Sequence, residues 1–200
     1  MTRTLDATDL ARVAVFAALI AALGLPGSFP VFGGVPITAQ TLGVMLAGAV
    51  LGPWLGALSV TVLLALVAVG LPLLAGGRGG IGVFLGPTAG YALGWILGAI
   101  VIGLLVHAGG RRPVVWRTAL AMLGGGVGAI YALGIPVQSL VTRLPLGETA
   151  LSSLVFVPGD LLKAALATVV VTALVRAYPR GFRRDWREAA LAPVAVGTTA

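Results

Sequence analysis

The run 151–175 is long and apolar enough to cross a bilayer, yet it carries a carboxylate and an amine, Asp160 and Lys163. Lys163 is the only lysine in the chain, and Asp160 is one of six acidic residues in 200. A charge at the centre of a membrane helix costs about 2.5–3.5 kcal/mol even on a lenient insertion scale. A chain this poor in charge places two there only for a reason. The i, i+3 spacing puts both on one helix face, where they can share a cavity. Pro158 and Gly159 precede them, and Pro158 has no N–H to donate, so the helix is expected to break or restart here. A restarted half-helix aims its N-terminus into the bundle, as membrane binding sites commonly do. An internal ion pair tying helices together is the plainer alternative to contact with a ligand.

Charged residues make up 10% of the chain and hydrophobic residues 58%, whereas soluble domains carry about 25% charged residues. This is the composition of a polytopic membrane protein. There is no cysteine, which excludes disulfides and thiolate metal sites. The single histidine, His107, sits at the end of an apolar run beside Arg111 and Arg112, so no metal site is expected. The formal charge of +7 comes from arginines at span ends, a membrane-orientation pattern and not a nucleic-acid footprint. A phosphate-binding loop needs Lys-Ser or Lys-Thr; Lys163 is followed by Ala164, so the chain has no Walker motif. No His/Ser or His/Glu constellation points to an enzyme.

The apolar runs give one all-α membrane domain over 1–188 with six spans, at about 11–25, 38–51, 53–70, 87–107, 116–133 and 151–178. The tail 189–200 is small and featureless and is expected to be disordered. Thr8 or Asp9 can cap the first helix. The run 37–70 would be about 51 Å long as one helix, too long for a single crossing of a core about 30 Å thick. Gly52-Pro53 divides it. Gly134-Ile135-Pro136 is expected to end the fifth span, with a loop to about residue 150. With six spans, every arginine except Arg78 and Arg143 falls on the side of the termini. The positive-inside rule places both termini in the cytoplasm of a cell-membrane protein.

Several features then converge on the outer side. The uncharged loop 26–37 is apolar and is expected to fold onto the bundle. Gln40 opens the second span and can face a cavity. Arg78 stands alone in a glycine-rich segment whose backbone can turn sharply and approach a ligand, as an anion contact, a gate or a surface charge. Tyr91 offers a phenol near the start of the fourth span. Glycines 82, 86, 90, 94 and 98 recur every four residues, a flat face for close packing. On the first span Ala14, Ala18 and Ala22 form a small-residue stripe for internal packing or for a partner helix.

The segments Val35-Pro36-Ile37-Thr38-Ala39-Gln40-Thr41, Gly76-Gly77-Arg78-Gly79-Gly80-Ile81-Gly82-Val83-Phe84-Leu85-Gly86-Pro87-Thr88-Ala89-Gly90-Tyr91 and Pro158-Gly159-Asp160-Leu161-Leu162-Lys163 resemble the BioY family. Its members are the biotin-binding S components of energy-coupling factor (ECF) vitamin transporters. The resemblance covers about residues 10–178. It implies a six-helix fold, biotin as the transported ligand without further cofactor, and a pocket near the outer surface. It also implies docking through Ala14 and Ala18 to a transmembrane coupling protein that carries two ATPases. A glycine often occupies position 89 in that family, where this chain has Ala89.

The residue chemistry agrees. Biotin offers two ureido N–H donors, a ureido carbonyl, a thioether and a carboxylate. Asp160 can accept from the N–H groups, Lys163 can donate to the ureido oxygen or the carboxylate, and Arg78 can reach the carboxylate or close the loop. A buried carboxylate–ureido contact discriminates strongly, because an analogue without the N–H leaves a buried charge unpaired. The competing readings are an S component for another vitamin and a stand-alone ion-coupled transporter using Asp160.

Overall fold

The computed structural model describes residues 5–25, 38–108 and 114–178. The loop 26–37, the arginines at 3, 111, 112 and beyond 178, and the tail 189–200 lie outside the described residues. Within them the regular structure is helical, apart from one two-residue bridge between Leu74 and Arg78. The helices are α1 (Ala7–Ala22), α2 (Gln40–Ala68), α3 (Ala89–His107), α4 (Val115–Leu123), α5 (Ile130–Thr142), α6 (Leu146–Ser153) and α7 (Val157–Ala177). Among the described residues, four stretches are long and apolar enough to cross a membrane: Gln40–Ala68, Ala89–His107, Val115–Thr142 and Leu146–Ala177.

Helix α1 begins a turn earlier than the apolar run suggests. Asp6, and neither Thr8 nor Asp9, is its cap, its Oδ1 accepting the Asp9 N–H at 2.7 Å. This satisfies one of the donors that every helix start leaves open. Val13, Ala17 and Ile20 face the bundle, and Gly43 of α2 leaves room for Ile20 and Leu23 to approach.

Helix α2 is two helices in a hairpin. Gly52 takes φ 81° and ψ −179°, a conformation open to glycine and closed to most other residues. The chain doubles back so closely that a side chain at Gly56 would strike the backbone of Ala47 and Gly48. Gln40, at the start of the first half, therefore reaches Leu73 and Ala75, beyond the end of the second. The first half ends at this reversal, which leaves the Ala49 carbonyl without a helical donor one turn on. His107 supplies the missing donor, with Nε2 lying 2.9 Å from Ala49 O; donation requires the ring proton on Nε2. The imidazole at the end of α3 thus closes the break in α2.

The glycine-rich segment is folded. Leu74 and Arg78 exchange backbone bonds of 3.0 and 3.1 Å around Gly76 and Gly77, at φ 79° and 70°. Gly80 N–H donates to Val67 O at 2.7 Å, tying the segment to the end of α2. A single 3₁₀ stretch, Ile81–Leu85, leads toward α3. Gly82 and Gly86 therefore precede the helix, and only Gly90, Gly94 and Gly98 share a face of α3. That face meets Leu133 and Val137, Ile130 and Gly125 in turn, so the small-residue row brings two backbones together.

The fifth apolar run differs from its sequence reading. It continues as helix through Pro136 to Thr142, ending at Arg143 with φ 59°, and α6 starts at Leu146, so the expected loop to residue 150 shrinks to 143–145. Pro136 removes one rung of the ladder. In an apolar surrounding, continuing the remaining ladder is the way to keep the other backbone groups paired. A π-turn over Gly124–Ala129 joins α4 to α5. Across it the buried positions run Met122, Gly126, Ile130, Gly134 and Gln138. A spacing of four drifts about 40° per step on a helix of 3.6 residues per turn; the wider π-turn offsets part of that drift and keeps both halves facing inward.

His107→Ala leaves the Ala49 carbonyl without its donor and should lower stability by about 1–3 kcal/mol, the desolvation cost of an unsatisfied buried group. Denaturant unfolding in detergent measures it. His107→Gln, which can still donate, should recover part of the loss.

Candidate functional site

The end of the bundle opposite the Gly52 hairpin holds a cavity bounded by the start of α2, the segment around Arg78, the start of α3, the start of α5 and the first turns of α7. Its polar centre is on α7. A 3₁₀ turn, Leu154–Phe156, precedes α7, and Pro158 lies in the helix's first turn, where its missing N–H costs nothing. A 3₁₀ turn, and not a break, stands where a restart at Pro158-Gly159 was expected, and the backbone keeps right-handed helical angles on both sides of it. Asp160 in that first turn is favoured by the positive end of the helix dipole.

Asp160 and Lys163 form an ion pair, Nζ to Oδ1 at 2.8 Å, with side chains 7% and 14% exposed. Lys163 Nζ also donates to Thr41 Oγ1 at 2.9 Å. Tyr131 Oη donates to the other carboxylate oxygen, Asp160 Oδ2, at 2.6 Å. Each carboxylate oxygen therefore has one protein donor and keeps lone-pair capacity, and the ammonium has one N–H beyond those two bonds. The pair's satisfaction of each other and its position on the cavity wall hold together: these groups are buried and still face the space a ligand would enter.

Aromatic rings frame the pair. Tyr91 meets Tyr131 edge-on, with centroids 6.0 Å apart and planes at 81°, and meets Phe156 at 6.4 Å and 69°. Gly134 leaves the space that the Tyr91 ring fills. Tyr91 Oη donates to Gln138 Oε1 at 2.8 Å and lies 3.0 Å from Ser153 Oγ, which fixes the ring against the wall.

The other sequence candidates fall in different places. Gln40 lines the cavity, but its amide is occupied by backbone. Nε2 donates to Ile20 O at 3.2 Å and Leu73 O at 3.0 Å, and Oε1 accepts from Ala75 N–H at 2.9 Å. It staples α1, α2 and the glycine-rich segment together under the cavity. Arg78 also lines the cavity, and of its side-chain nitrogens Nε bonds a described residue, donating to Ala75 O at 3.3 Å. Partial burial lowers its pKa from the ordinary guanidinium value, yet an arginine stays charged at any working pH. Ala14 and Ala18 are exposed on α1. They border a separate apolar groove with Val62, Leu66 and Leu71, away from Asp160. Sequence reasoning missed Tyr131, Thr41 and Gln138 as parts of the site. Tyr131 carried a signal, a phenol in an apolar run, but the expected stop at Gly134-Ile135-Pro136 left it at a span end.

The model of the BioY family matches residues 1–180. The biotin transporter BioY of Rhodobacter capsulatus is 49% identical over 176 residues, 84% of this chain and 90% of that protein. The probable biotin transporter BioY of Bacillus subtilis is 45% identical over 170 residues, 84% of this chain and 91% of its own. Among solved structures, the S-component for biotin from an ECF-type ABC transporter superposes with a TM-score of 0.80 at 36% identity, covering 88% of this chain and 95% of that one.

Removing one member of the buried pair strands the other. Asp160→Asn and Lys163→Met should each destabilise the ligand-free protein by about 3–5 kcal/mol, whereas the double variant should regain much of that loss. Unfolding of the four proteins in detergent gives the cycle, and additive losses would show that the two charges do not compensate each other.

Proposed function

This chain belongs to the BioY family, and on that premise we propose that it is the biotin-capturing S component of an ECF-type vitamin transporter. It is a transport subunit and not a hydrolytic enzyme, and ATP hydrolysis falls to separate partner subunits. The observation that carries the reading is the Asp160–Lys163 pair, buried in an apolar bundle and facing a cavity framed by Tyr91, Tyr131 and Phe156. A ligand with a neutral bicyclic head that carries a urea suits that surface. The rings contact its apolar body, Asp160 accepts from ureido N–H, and the spare Lys163 N–H reaches the ureido oxygen. Arg78, with Nε on its own segment, offers its terminal nitrogens to the valerate carboxylate.

The bundle crosses the membrane six times in this reading: α1, the two halves of α2, α3, α4 with α5, and α6 with α7. Both termini are cytoplasmic. Supporting this, the basic residues Arg12, Arg117 and Arg176 lie toward the hairpin end, and the exposed Trp54 and Trp116 suit the interfacial belt there. The cavity then opens outward. On α1 the exposed Ala14 and Ala18 permit close approach of a helix of the coupling protein.

Biotin should bind the detergent-purified protein, and Asp160→Asn and Lys163→Met should each weaken it by at least about 2 kcal/mol, the scale of an unpaired buried charged group. Equilibrium binding tests this, and unaltered affinity in both variants would remove the pair from the site. Ala14→Trp or Ala18→Trp should leave binding to the isolated subunit intact and abolish uptake in cells; normal uptake with both would limit the stripe to this chain. Because the chain has no cysteine, single introduced cysteines report orientation cleanly. Gly147→Cys should react with an impermeant maleimide on intact cells, whereas Ala108→Cys should react only after lysis.

A further inference from the structure

The cavity beside Asp160 and Lys163 holds about 80 Å³ of free space, whereas pockets that take small organic ligands run to about 300–1,000 Å³. A ligand with a bicyclic head and a valerate chain therefore enters only if a wall moves. Most of the lining side chains stand on helices or within two residues of a helix start, where displacement breaks close packing. Leu74 and Arg78 differ, for they stand on the irregular segment 71–79 between α2 and the 3₁₀ stretch. That segment is built to move as one piece. Leu74 and Arg78 are bonded to each other across it, and Gly79 lies so close to Leu71 O that a side chain there would strike it. Gly70 at φ 111° and Gly80 at φ 87° stand at its two ends, where a change of backbone angle meets least steric resistance. Gln40 latches it, through Leu73 O and the Ala75 N–H.

Space for the movement lies behind it. The apolar groove along α1 holds about 780 Å³. Gly76 and Gly77 line that groove, Arg78 lines the cavity, and Leu74 lines both. The segment is thus a partition between a small void and a large one. We infer that segment 71–79 is the moving wall of the ligand site: hinged at Gly70 and Gly80, it swings into the α1 groove as the ligand enters, so that the cavity grows while the groove shrinks. This rests on the proposed function and deepens it, because the free space along α1 becomes part of ligand capture. A body that fills the groove beside the segment then opposes the ligand by the same factor as the ligand opposes it.

The experiment reads distances between paired nitroxide labels in the detergent-purified full chain, which has no cysteine of its own. Pro72→Cys is paired with Leu162→Cys on α7 and, separately, with Leu19→Cys on α1. Saturating biotin should lengthen the first distance by more than about 2 Å, the scale of loop rearrangements on binding, and shorten the second. Ala22→Trp and Leu66→Trp fill the groove from α1 and α2 without lining the cavity. Each should weaken biotin about tenfold, in proportion to the open form that is lost. Ala14→Trp, about 12 Å back along α1, should not. Distances that biotin leaves unchanged in proteins that bind it, or full affinity in both groove variants, would overturn the inference alone. Should either tryptophan variant fail to fold, the label distances decide. Failure of the unsubstituted protein to bind biotin would overturn the proposed function and this inference together.

Discussion

A carboxylate and an ammonium held together in an apolar bundle set the terms for the rest of this protein. Taking both charges out of water costs several kcal/mol each, and their mutual attraction returns that only when the geometry is good and the remaining hydrogen-bonding capacity is met. Here the conditions are supplied by three separate elements. Thr41 at the start of α2 takes one ammonium hydrogen, Tyr131 on α5 serves the second carboxylate oxygen, and the N-terminus of α7 faces Asp160. Two apolar side chains would fill the same space at less cost. Retaining the pair on a cavity wall accords with the ligand-binding role proposed for it.

The frame that holds these elements is built from absences of side chain and of backbone donors. Gly90, Gly94 and Gly98 let α3 lie directly on the helix of Gly125, Ile130 and Leu133, and Tyr91 occupies the notch that Gly134 leaves. Gly52 and Pro53 turn α2 back on itself, which brings Gln40 under the glycine-rich segment. Each such device opens a polar gap somewhere, and in a membrane no water closes it. His107 answers Ala49 O, and Gln40 answers Ile20 O, Leu73 O and Ala75 N–H. The frame of the cavity thus rests on hydrogen bonds both at its wall, from Gln40, and at the far end of the bundle, from His107.

Much of this was legible in the sequence because the bilayer leaves few choices. The length of the run 37–70 demanded a break, and Gly52-Pro53 was where it had to be. The cost of Asp160 and Lys163 in an apolar run marked two residues that line the cavity. What was not legible involved competition between local and tertiary forces. Pro136 after a glycine reads as a helix end, but the ladder survives it. That carries Gln138 into reach of Tyr91 and places Tyr131 inside the bundle. The π-turn leaves no periodic trace beyond a run of glycines that packing alone also explains. Gln40 read as a polar group facing a cavity, and it does line one, but the backbone carbonyls and amide it serves lie 20, 33 and 35 residues away along the chain and have no signature of their own.

The central claim is that the buried Asp160–Lys163 wall holds one biotin. Native mass spectrometry of the protein released from detergent, after exposure to an equimolar mixture of water-soluble vitamins, tests it most directly. The account predicts a single added mass per chain, that of biotin, which disappears when Asp160 is replaced by Asn. Retention of a different vitamin, or biotin retained undiminished by the Asp160→Asn protein, would contradict it.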